Sequence, residues 1–170
     1  MKAKRVAVIG CPGAGKTFFA KKLAQKLQLP LHHIDYYFHE PGAHYTPRSP
    51  EWRSKVSELV AEPVWIIDGN YQSTFDILLP ETDTIVFLDY PLGISLGRAI
   101  LRRIKMHSKV REDMPSNWKE KLSFRLFKFI LLYNKVQAPK VRRMLEEQKG
   151  EKNIVILKNS READLFLNTV

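Results

Sequence analysis

The fold is decided by residues 5–27, RVAVIGCPGAGKTFFAKKLAQKL, which join an apolar run to a glycine-rich loop and then to a helical pattern. The apolar run Lys4–Ile9 is short and ends at Gly10, which is typical of a buried strand. From Lys16 onward, apolar and basic residues separate onto two faces of a helix, which Pro30 ends. The apolar face consists of Phe19, Ala20, Leu23, Ala24 and Leu27.

The loop between this strand and this helix matches the phosphate-binding pattern G-x-x-x-x-G-K-[ST]. Glycines let backbone N–H groups turn inward around phosphate oxygens, where a Cβ would block the approach. The positive end of the helix dipole favours an anion at the same place. We therefore expect Lys16 to reach the β- and γ-phosphates of ATP, and Thr17 to bind Mg²⁺ through its hydroxyl. The predicted nucleotide-binding residues of the loop are Gly10, Pro12, Gly13, Ala14, Gly15, Lys16 and Thr17.

Three further apolar runs each end at an acidic residue: Leu31–Ile34 before Asp35, Val64–Ile67 before Asp68, and Ile85–Leu88 before Asp89. Such runs, alternating with helices, predict an α/β fold with a parallel sheet covered on both faces. The carboxyl ends of its strands form the edge at which ligands bind. We expect Asp68 beside Mg²⁺, which usually keeps several of its waters. For Asp35 and Asp89, the alternative is a carboxylate that caps a helix or a turn.

The remaining chain continues the alternation without an internal repeat or linker, so a single domain spanning residues 1–170 is predicted. A long loop leads to Pro50. The other expected elements are a helix over Glu51–Glu62, a helix from Pro91 to about Met106, a loop over His107–Asn117, a basic amphipathic helix from Trp118 that is interrupted before Pro139, a strand over Ile154–Leu157 and a helix over Arg161–Leu167.

Composition excludes several other classes of protein. The chain has 170 residues, of which 44% are hydrophobic and 27% charged, as in ordinary globular domains. Its longest apolar run, Phe129–Tyr133, is far shorter than the roughly 20 residues that cross a bilayer. The segment Val6–Ile9 is too short for the apolar part of a secretory signal. The only cysteine, Cys11, forms no internal disulfide, so we expect a cytoplasmic protein with no membrane partner.

The positive charge is concentrated in one part of the chain. Residues 1–90 carry 10 basic and 10 acidic side chains, residues 91–149 carry 15 and 5, and residues 150–170 carry 3 and 3. The whole formal excess of +10 therefore lies in the middle stretch. Such a stretch suits an anionic ligand, either a polyphosphate or a nucleic acid.

Three elements together resemble the adenylate-kinase-like group of P-loop kinases: the loop Gly10–Thr17, the segment Trp65–Tyr71, and Asp89-Tyr90-Pro91 followed by Arg98 and Arg102. More narrowly, the chain is similar to bacterial members of that group called "topology modulation" proteins. The resemblance implies a five-stranded parallel sheet in the order 2-3-1-4-5 and a lid over ATP at about residues 103–117. It also implies that Arg98 stacks on adenine and that Arg102 contacts phosphates.

The basic surface that begins with Arg98 and Arg102 would extend into the lid through Arg103, Lys105, Lys109 and Arg111. Positive charge there could stabilise the transferring phosphoryl group. The alternative for these four residues is a solvated helix face. Asn159 and Ser160 stand where proteins of this group pass backbone along the adenine edge. The alternative for both is the N-cap of the last helix.

The acceptor side departs from the adenylate-kinase pattern. After Asp68-Gly69 that pattern has Phe-Pro-Arg, whose arginine grips the acceptor phosphate, whereas this chain has Asn70-Tyr71-Gln72. The acceptor is therefore left open among nucleotides, nucleosides and hydroxylated metabolites. Asp35 is a candidate general base or positioning group. The other predicted acceptor-binding residues are Arg48 and Arg53, as substitutes for the missing arginine, together with Gly69, Asn70 and Tyr71.

Two functions follow from these residues. The first is an ATP- and Mg²⁺-dependent phosphotransferase in which Lys16, Arg98, Arg102 and Asp35 are the catalytic residues. The second is an ATP-binding regulatory or nucleic-acid-binding module with little or no kinase activity.

The spacing of the histidines between residues 32 and 44 does not predict a metal site. Cys11 is either a variable loop position or a thiol with a lowered pKa. The sequence predicts neither the acceptor nor the oligomeric state.

Overall fold

The computed structural model describes residues 3–105, 114–115 and 124–170. In this part of the chain, five strands form one sheet: β1 (Arg5–Gly10), β2 (Leu31–His33), β3 (Trp65–Asp68), β4 (Thr84–Leu88) and β5 (Asn153–Leu157). The spatial order is β2-β3-β1-β4-β5, and every neighbouring pair is parallel. The predicted sheet and its order 2-3-1-4-5 are confirmed.

Eight α-helices surround the sheet within the described residues. They are α1 (Lys16–Leu27), α2 (Ile34–Phe38), α3 (Pro50–Val60), α4 (Phe75–Glu81), α5 (Leu92–Lys105), α6 (Phe124–Leu132), α7 (Ala138–Glu147) and α8 (Ser160–Thr169). None of these helices combines the length and the apolar character that a membrane span requires.

The three central strands carry the core. β3 and β4 are buried along their whole length, and β1 is buried from Val6 onward. Val8 of β1 pairs with Asp68 of β3, and Gly10 pairs with Leu88 of β4. The carboxyl ends of these strands therefore meet at one edge of the sheet, and the glycine loop leaves β1 at that edge.

Local sequence signals explain where α1 and α3 begin and end. Helix α1 ends at Gln28, which adopts a left-handed conformation two residues before Pro30. The Ser49 hydroxyl accepts a hydrogen bond from the backbone N–H of Trp52 and so caps α3, with Pro50 in the first helical position.

An interruption separates α6 from α7, as the sequence predicts. The residues between them, Tyr133–Gln137, form a π-helical turn. Pro139 has no N–H group to donate to the carbonyl four residues earlier, so the ordinary helical ladder cannot continue through it. A wider turn before the proline resolves this conflict.

Two elements differ from the expectation. The predicted strand Leu31–Ile34 ends at His33, because Ile34 turns into the core and begins α2, where Asp35 lies in the first turn. Helix α4 has no counterpart in the prediction, since it spans only seven residues and contains Pro80.

The predicted lid at about residues 103–117 lies mostly outside the described residues. The described part of it is limited to 103–105 and 114–115. The predicted lid residues Lys109 and Arg111 also lie outside this part.

Gly69 gives a test of the packing at the sheet edge. Its φ is +154°, and a Cβ at this position would overlap the Cγ2 atom of Ile34. We expect Gly69→Ala to lower the free energy of unfolding by about 2–3 kcal/mol, measured by urea denaturation. The matched control is Gly97→Ala in α5, where a Cβ meets nothing within 4 Å. This control should raise the free energy by about 0.5–1 kcal/mol. Equal effects of the two substitutions would contradict the prediction.

Candidate functional site

The glycine loop between β1 and α1 is shaped so that side chains cannot occupy its inner wall. Gly13 and Gly15 have φ values of +87° and +96°, in the left-handed region that favours glycine. A Cβ on Gly13 would overlap the carbonyl oxygen of Ser95 in α5. The N-terminus of α1 has no side-chain cap and no acidic residue in its first turn. Its first N–H groups have no helical acceptor and point toward the loop.

Lys16, the first residue of α1, folds back under this loop. Its Nζ donates to the carbonyl oxygens of Gly10 at 3.1 Å and Cys11 at 3.2 Å. Burial lowers the pKa of Lys16, while the negative charges of Asp35 and Asp68 act in the opposite direction. The ammonium group is therefore held in a fixed place, opposite two carboxylates.

Each of these two carboxylates is bound by an aromatic ring side chain. Asp68 is 4% exposed, and its Oδ1 lies 2.7 Å from Nδ1 of His33. Asp35 lies close to the Tyr71 hydroxyl, and burial, followed by the negative charge of Asp35, raises the pKa of Tyr71. The third predicted carboxylate, Asp89, is instead bound by both Nε and Nη2 of Arg142, each at 2.7 Å. Asp89 thus connects β4 to α7.

Arg98 connects the glycine loop with the last helix. Its guanidinium group donates to the carbonyl oxygen of Ala14 at 2.9 Å and to the Ser160 hydroxyl at 2.6 Å. It also lies 5.4 Å from the centre of the Tyr90 ring. The Asn159 side chain accepts from the backbone N–H of Glu162, so Asn159 is the N-cap of α8, one of the two alternatives given by the sequence.

Arg102, one helical turn beyond Arg98, lies close enough to Lys16 for its positive charge to lower the pKa of that lysine. The structure therefore brings both predicted arginines to the loop. Their predicted contacts with adenine and phosphates stay predictions.

The two arginines proposed for the acceptor side have different surroundings. Arg53 makes an ion pair with Asp76, in which its Nη2 lies 2.6 Å from Oδ2, and it also donates to the carbonyl oxygen of Ser73 at 3.0 Å. This pairing ties α3 to α4. Arg48 is exposed in the loop before α3. A role for either in acceptor binding stays a prediction.

The segment after β3 also lies at this edge. Gly69 is buried behind Ile34, which gives a packing reason for the glycine besides the predicted approach of a substrate. The side-chain amide of Asn70 is buried and makes no well-formed hydrogen bond, although it lies close to Tyr133, whose pKa burial raises and Asn70 only partly offsets. Buried polar atoms without good partners are uncommon and require an explanation, such as water or a ligand.

Aromatic rings form a wall beside Asp35 and Tyr71. Phe38 lies 4.9 Å from Trp52 and 4.7 Å from Tyr71 between ring centres, and Trp52 lies 5.1 Å from Tyr71. Tyr45 completes the group at 5.5 Å from Trp52. These rings pack against one another, as in a core. Tyr71 is the member that also reaches a carboxylate.

The histidines are engaged separately rather than as one cluster. His32 contacts the Tyr37 hydroxyl through Nδ1 at 2.9 Å and Glu62 through Nε2 at 3.0 Å, whereas His33 faces Asp68. In the described part of the chain, no three His, Cys, Asp or Glu side chains are grouped as a metal site would require.

His33 is a candidate site residue that the sequence pattern did not indicate. The spacing of the histidines between residues 32 and 44 predicts no metal site and distinguishes none of them. Alternation along a strand puts His32 and His33 on opposite faces, and His33 is the last residue of β2, just as Asp68 is the last of β3. That position at the shared edge is the signal that could have identified it.

The loop residues fit a nucleoside triphosphate with Mg²⁺. The glycine wall and the uncapped helix N-terminus suit phosphate oxygens, and Lys16 adds a positive charge beside them. Mg²⁺ needs only one or two carboxylates when phosphates and waters supply its other ligands. Thr17 and Asp68 have the oxygen donors that such an ion prefers.

Solved structures share this fold. Shikimate kinase from Acinetobacter baumannii, in complex with shikimate, aligns with a TM-score of 0.61 and 16% identity over 99% of this chain and 90% of that chain. A sugar kinase from Janibacter sp. HTCC2649 aligns with a TM-score of 0.58 and 18% identity over 98% and 91%. A gluconokinase from Sinorhizobium meliloti 1021 aligns with a TM-score of 0.55 and 18% identity over 98% and 92%.

The chain therefore has the fold of P-loop kinases. No protein-family model matches the chain. No curated protein matches it in sequence.

Cys11 gives a test of how closed the loop is. The residue is 1% exposed, and burial raises the pKa of its thiol to about 11, which Lys16 and Ser95 only partly offset. The possibility of a lowered thiol pKa is thus contradicted. At pH 7.5 the thiolate fraction is about one-hundredth of that of a cysteine with a pKa near 9.0.

We expect iodoacetamide to modify Cys11 in the folded protein at least about a hundredfold more slowly than in the chain unfolded in urea, as measured by mass spectrometry. Because the raised pKa keeps the thiol protonated, the rate in the folded protein should rise about tenfold with each pH unit and level off only above about pH 11. Equal rates in the folded and unfolded chains at pH 7.5 would contradict a closed loop.

Proposed function

We propose that this chain is an ATP- and Mg²⁺-dependent kinase that transfers the γ-phosphoryl group to a small acceptor carrying a hydroxyl group. The observation that carries the proposal is Lys16, which is held under the glycine loop and opposite Asp35 and Asp68. A phosphate-binding loop, one fixed cation and two carboxylates at one sheet edge are the parts that phosphoryl transfer requires.

The roles of the chain's own residues follow from their positions in this proposal. Backbone N–H groups of residues 10–17 hold the phosphates, and Lys16 neutralises the charge on the transferring group. Thr17 and Asp68 would hold Mg²⁺, and the bound ion would supply charge neutralisation at the phosphate oxygens. Asp35 accepts the proton of the acceptor hydroxyl or positions that group, and the Tyr71 hydroxyl orients Asp35.

Arg98 and Arg102 contact the nucleotide in this proposal, Arg98 beside adenine and Arg102 beside the phosphates. Ser160, which binds Arg98, and Asn159, which caps α8, lie next to that position. The structural neighbours are named as a shikimate kinase, a sugar kinase and a gluconokinase. Their names support the proposal that the acceptor is a small hydroxylated molecule. Gly69, Asn70, Tyr71, Arg48 and Arg53 remain candidates for the acceptor side.

The proposal includes the finer resemblance to adenylate-kinase-like and topology modulation proteins. It also includes a single domain over residues 1–170 and a lid at about 103–117. The proposed location is the cytoplasm, where ATP is available. The alternative of a nucleic-acid-binding module is not part of it. Two arginines of the basic stretch, Arg98 and Arg142, are engaged within the fold by Ala14, Ser160 and Asp89.

Lys16→Ala tests the nucleotide site. We expect it to weaken ATP binding, measured by calorimetry with Mg²⁺, and to abolish ATP turnover while the protein stays folded by circular dichroism. The loss of one charge-assisted contact to phosphate corresponds to at least about tenfold in affinity. The control is Lys22→Ala on the same helix, whose Nζ lies 3.7 Å from Asp164 and away from the loop. Normal ATP binding and turnover in the Lys16 variant would refute the kinase proposal.

Asp35→Asn tests the acceptor side. ATP consumption is first measured with nucleoside monophosphates, nucleosides, shikimate, gluconate and other sugar acids and sugars, each against the background without acceptor. With an acceptor that stimulates turnover, Asp35→Asn should reduce the stimulated rate about a hundredfold or more, because a general base contributes about that much. ATP affinity should change little. A variant that keeps the full stimulated rate would remove Asp35 from the proposed catalytic residues.

A further inference from the structure

His33 and Asp68 form a close pair at the edge where the glycine loop lies. They are the last residues of β2 and β3 and are direct partners in the parallel register. The distance from His33 Nδ1 to Asp68 Oδ1 is 2.7 Å. The side chains are 16% and 5% exposed, respectively, so the contact is largely shielded from water.

The direction of this hydrogen bond follows from its chemistry. An ionised carboxylate only accepts hydrogen bonds, so Nδ1 of His33 carries the hydrogen and donates it. The contact ties one oxygen of Asp68 to β2. It thereby restricts the rotation of the carboxylate, and the second oxygen of Asp68 takes no part in this contact. Asp68 also lies close enough to Lys16 for its negative charge to oppose in part the lowering of the lysine pKa that burial causes.

We propose that His33 is a positioning residue that holds Asp68 in the orientation needed for Mg²⁺ bound with ATP. The inference rests on the proposed function, in which Asp68 is the carboxylate of the metal site. His33 itself contacts neither the ion nor the nucleotide. Hydrogen-bond partners that orient a metal-binding side chain typically change metal affinity by about 10- to 100-fold when they are removed.

His32 provides a matched comparison. It precedes His33 in the same strand, and its side chain is similarly shielded, at 13% exposure. Its ring nitrogens face Tyr37 and Glu62 rather than Asp68. A substitution at His32 therefore disturbs β2 to a similar degree while the contact with Asp68 remains.

The experiment compares two substitutions of equal shape. His33→Asn keeps an N–H donor near the position of Nδ1, whereas His33→Leu has a similar branched shape without a donor. The probe is AMP-PNP, an ATP analogue that is not hydrolysed, titrated by calorimetry in MgCl₂ and again in EDTA. The ratio of the two dissociation constants measures how strongly Mg²⁺ supports nucleotide binding.

We expect His33→Leu to reduce this ratio about tenfold or more, with unchanged affinity in EDTA, because only the Mg²⁺-dependent part of binding is affected. His33→Asn should restore most of the loss, and His32→Leu should behave as the wild-type protein. If His33→Leu does not fold, His33→Ala, which also lacks a side-chain donor, takes its place.

Other outcomes separate the inference from the proposed function. Four results would each overturn the positioning role. The ratio could be unchanged in His33→Leu, or the affinity for AMP-PNP could fall equally in MgCl₂ and in EDTA. His32→Leu could reduce the ratio as much as His33→Leu, or the wild-type protein could bind AMP-PNP with no Mg²⁺ dependence. Such results leave the nucleotide site in place. A wild-type protein that binds no AMP-PNP under either condition would instead refute the proposed function.

Discussion

The arrangement of the site depends on one buried cation. Lys16 lies under the loop that binds it through the carbonyl oxygens of Gly10 and Cys11, where water cannot solvate its ammonium group fully. Such a charge is costly unless opposite charges and hydrogen bonds compensate it. Asp35 and Asp68 provide the opposite charges, and both come from neighbouring elements at the carboxyl edge of the sheet. The parallel sheet is what brings these groups together, because all of its strands end on the same side.

The two carboxylates are not equivalent, since different rings hold them. Asp68 is bound by His33 within the sheet, where both backbones are fixed by the strand register. Asp35 lies in the first turn of the short helix α2 and beside Tyr71, which belongs to a packed group of aromatic rings. In the proposed kinase this difference separates two tasks: one carboxylate stays with the metal, and the other serves the acceptor.

The sequence was sufficient for the central part of the fold. The glycine pattern and the apolar runs before Asp35, Asp68 and Asp89 predict the strands and the edge at which the site lies. The strand order came instead from the resemblance to known kinases, because periodicity contains no information on which strands are neighbours. Short elements escaped prediction: α2 and α4 span five and seven residues and are too short to show a helical period.

Partners far apart in the chain escaped prediction for a related reason. The Arg53–Asp76 and His33–Asp68 contacts join residues 23 and 35 positions apart, respectively. They depend on the register between strands and the packing between helices, which a single sequence does not specify. The sequence therefore overlooked His33 and did not indicate that Arg53, a predicted acceptor group, is paired with Asp76.

The ring group beside Asp35 has a practical consequence. Trp52 is fully buried and touches Tyr71, the residue that holds Asp35, whereas Trp65 lies in the central sheet and donates its indole N–H to the carbonyl oxygen of Val60. A small molecule that draws the Asp35 carboxylate away from the Tyr71 phenol alters the surroundings of Trp52 and, of the two tryptophans that the structure describes, leaves Trp65 unchanged. The protein thus contains an intrinsic fluorophore next to the acceptor position of the proposed kinase, so occupancy could be followed by emission without a chemical label.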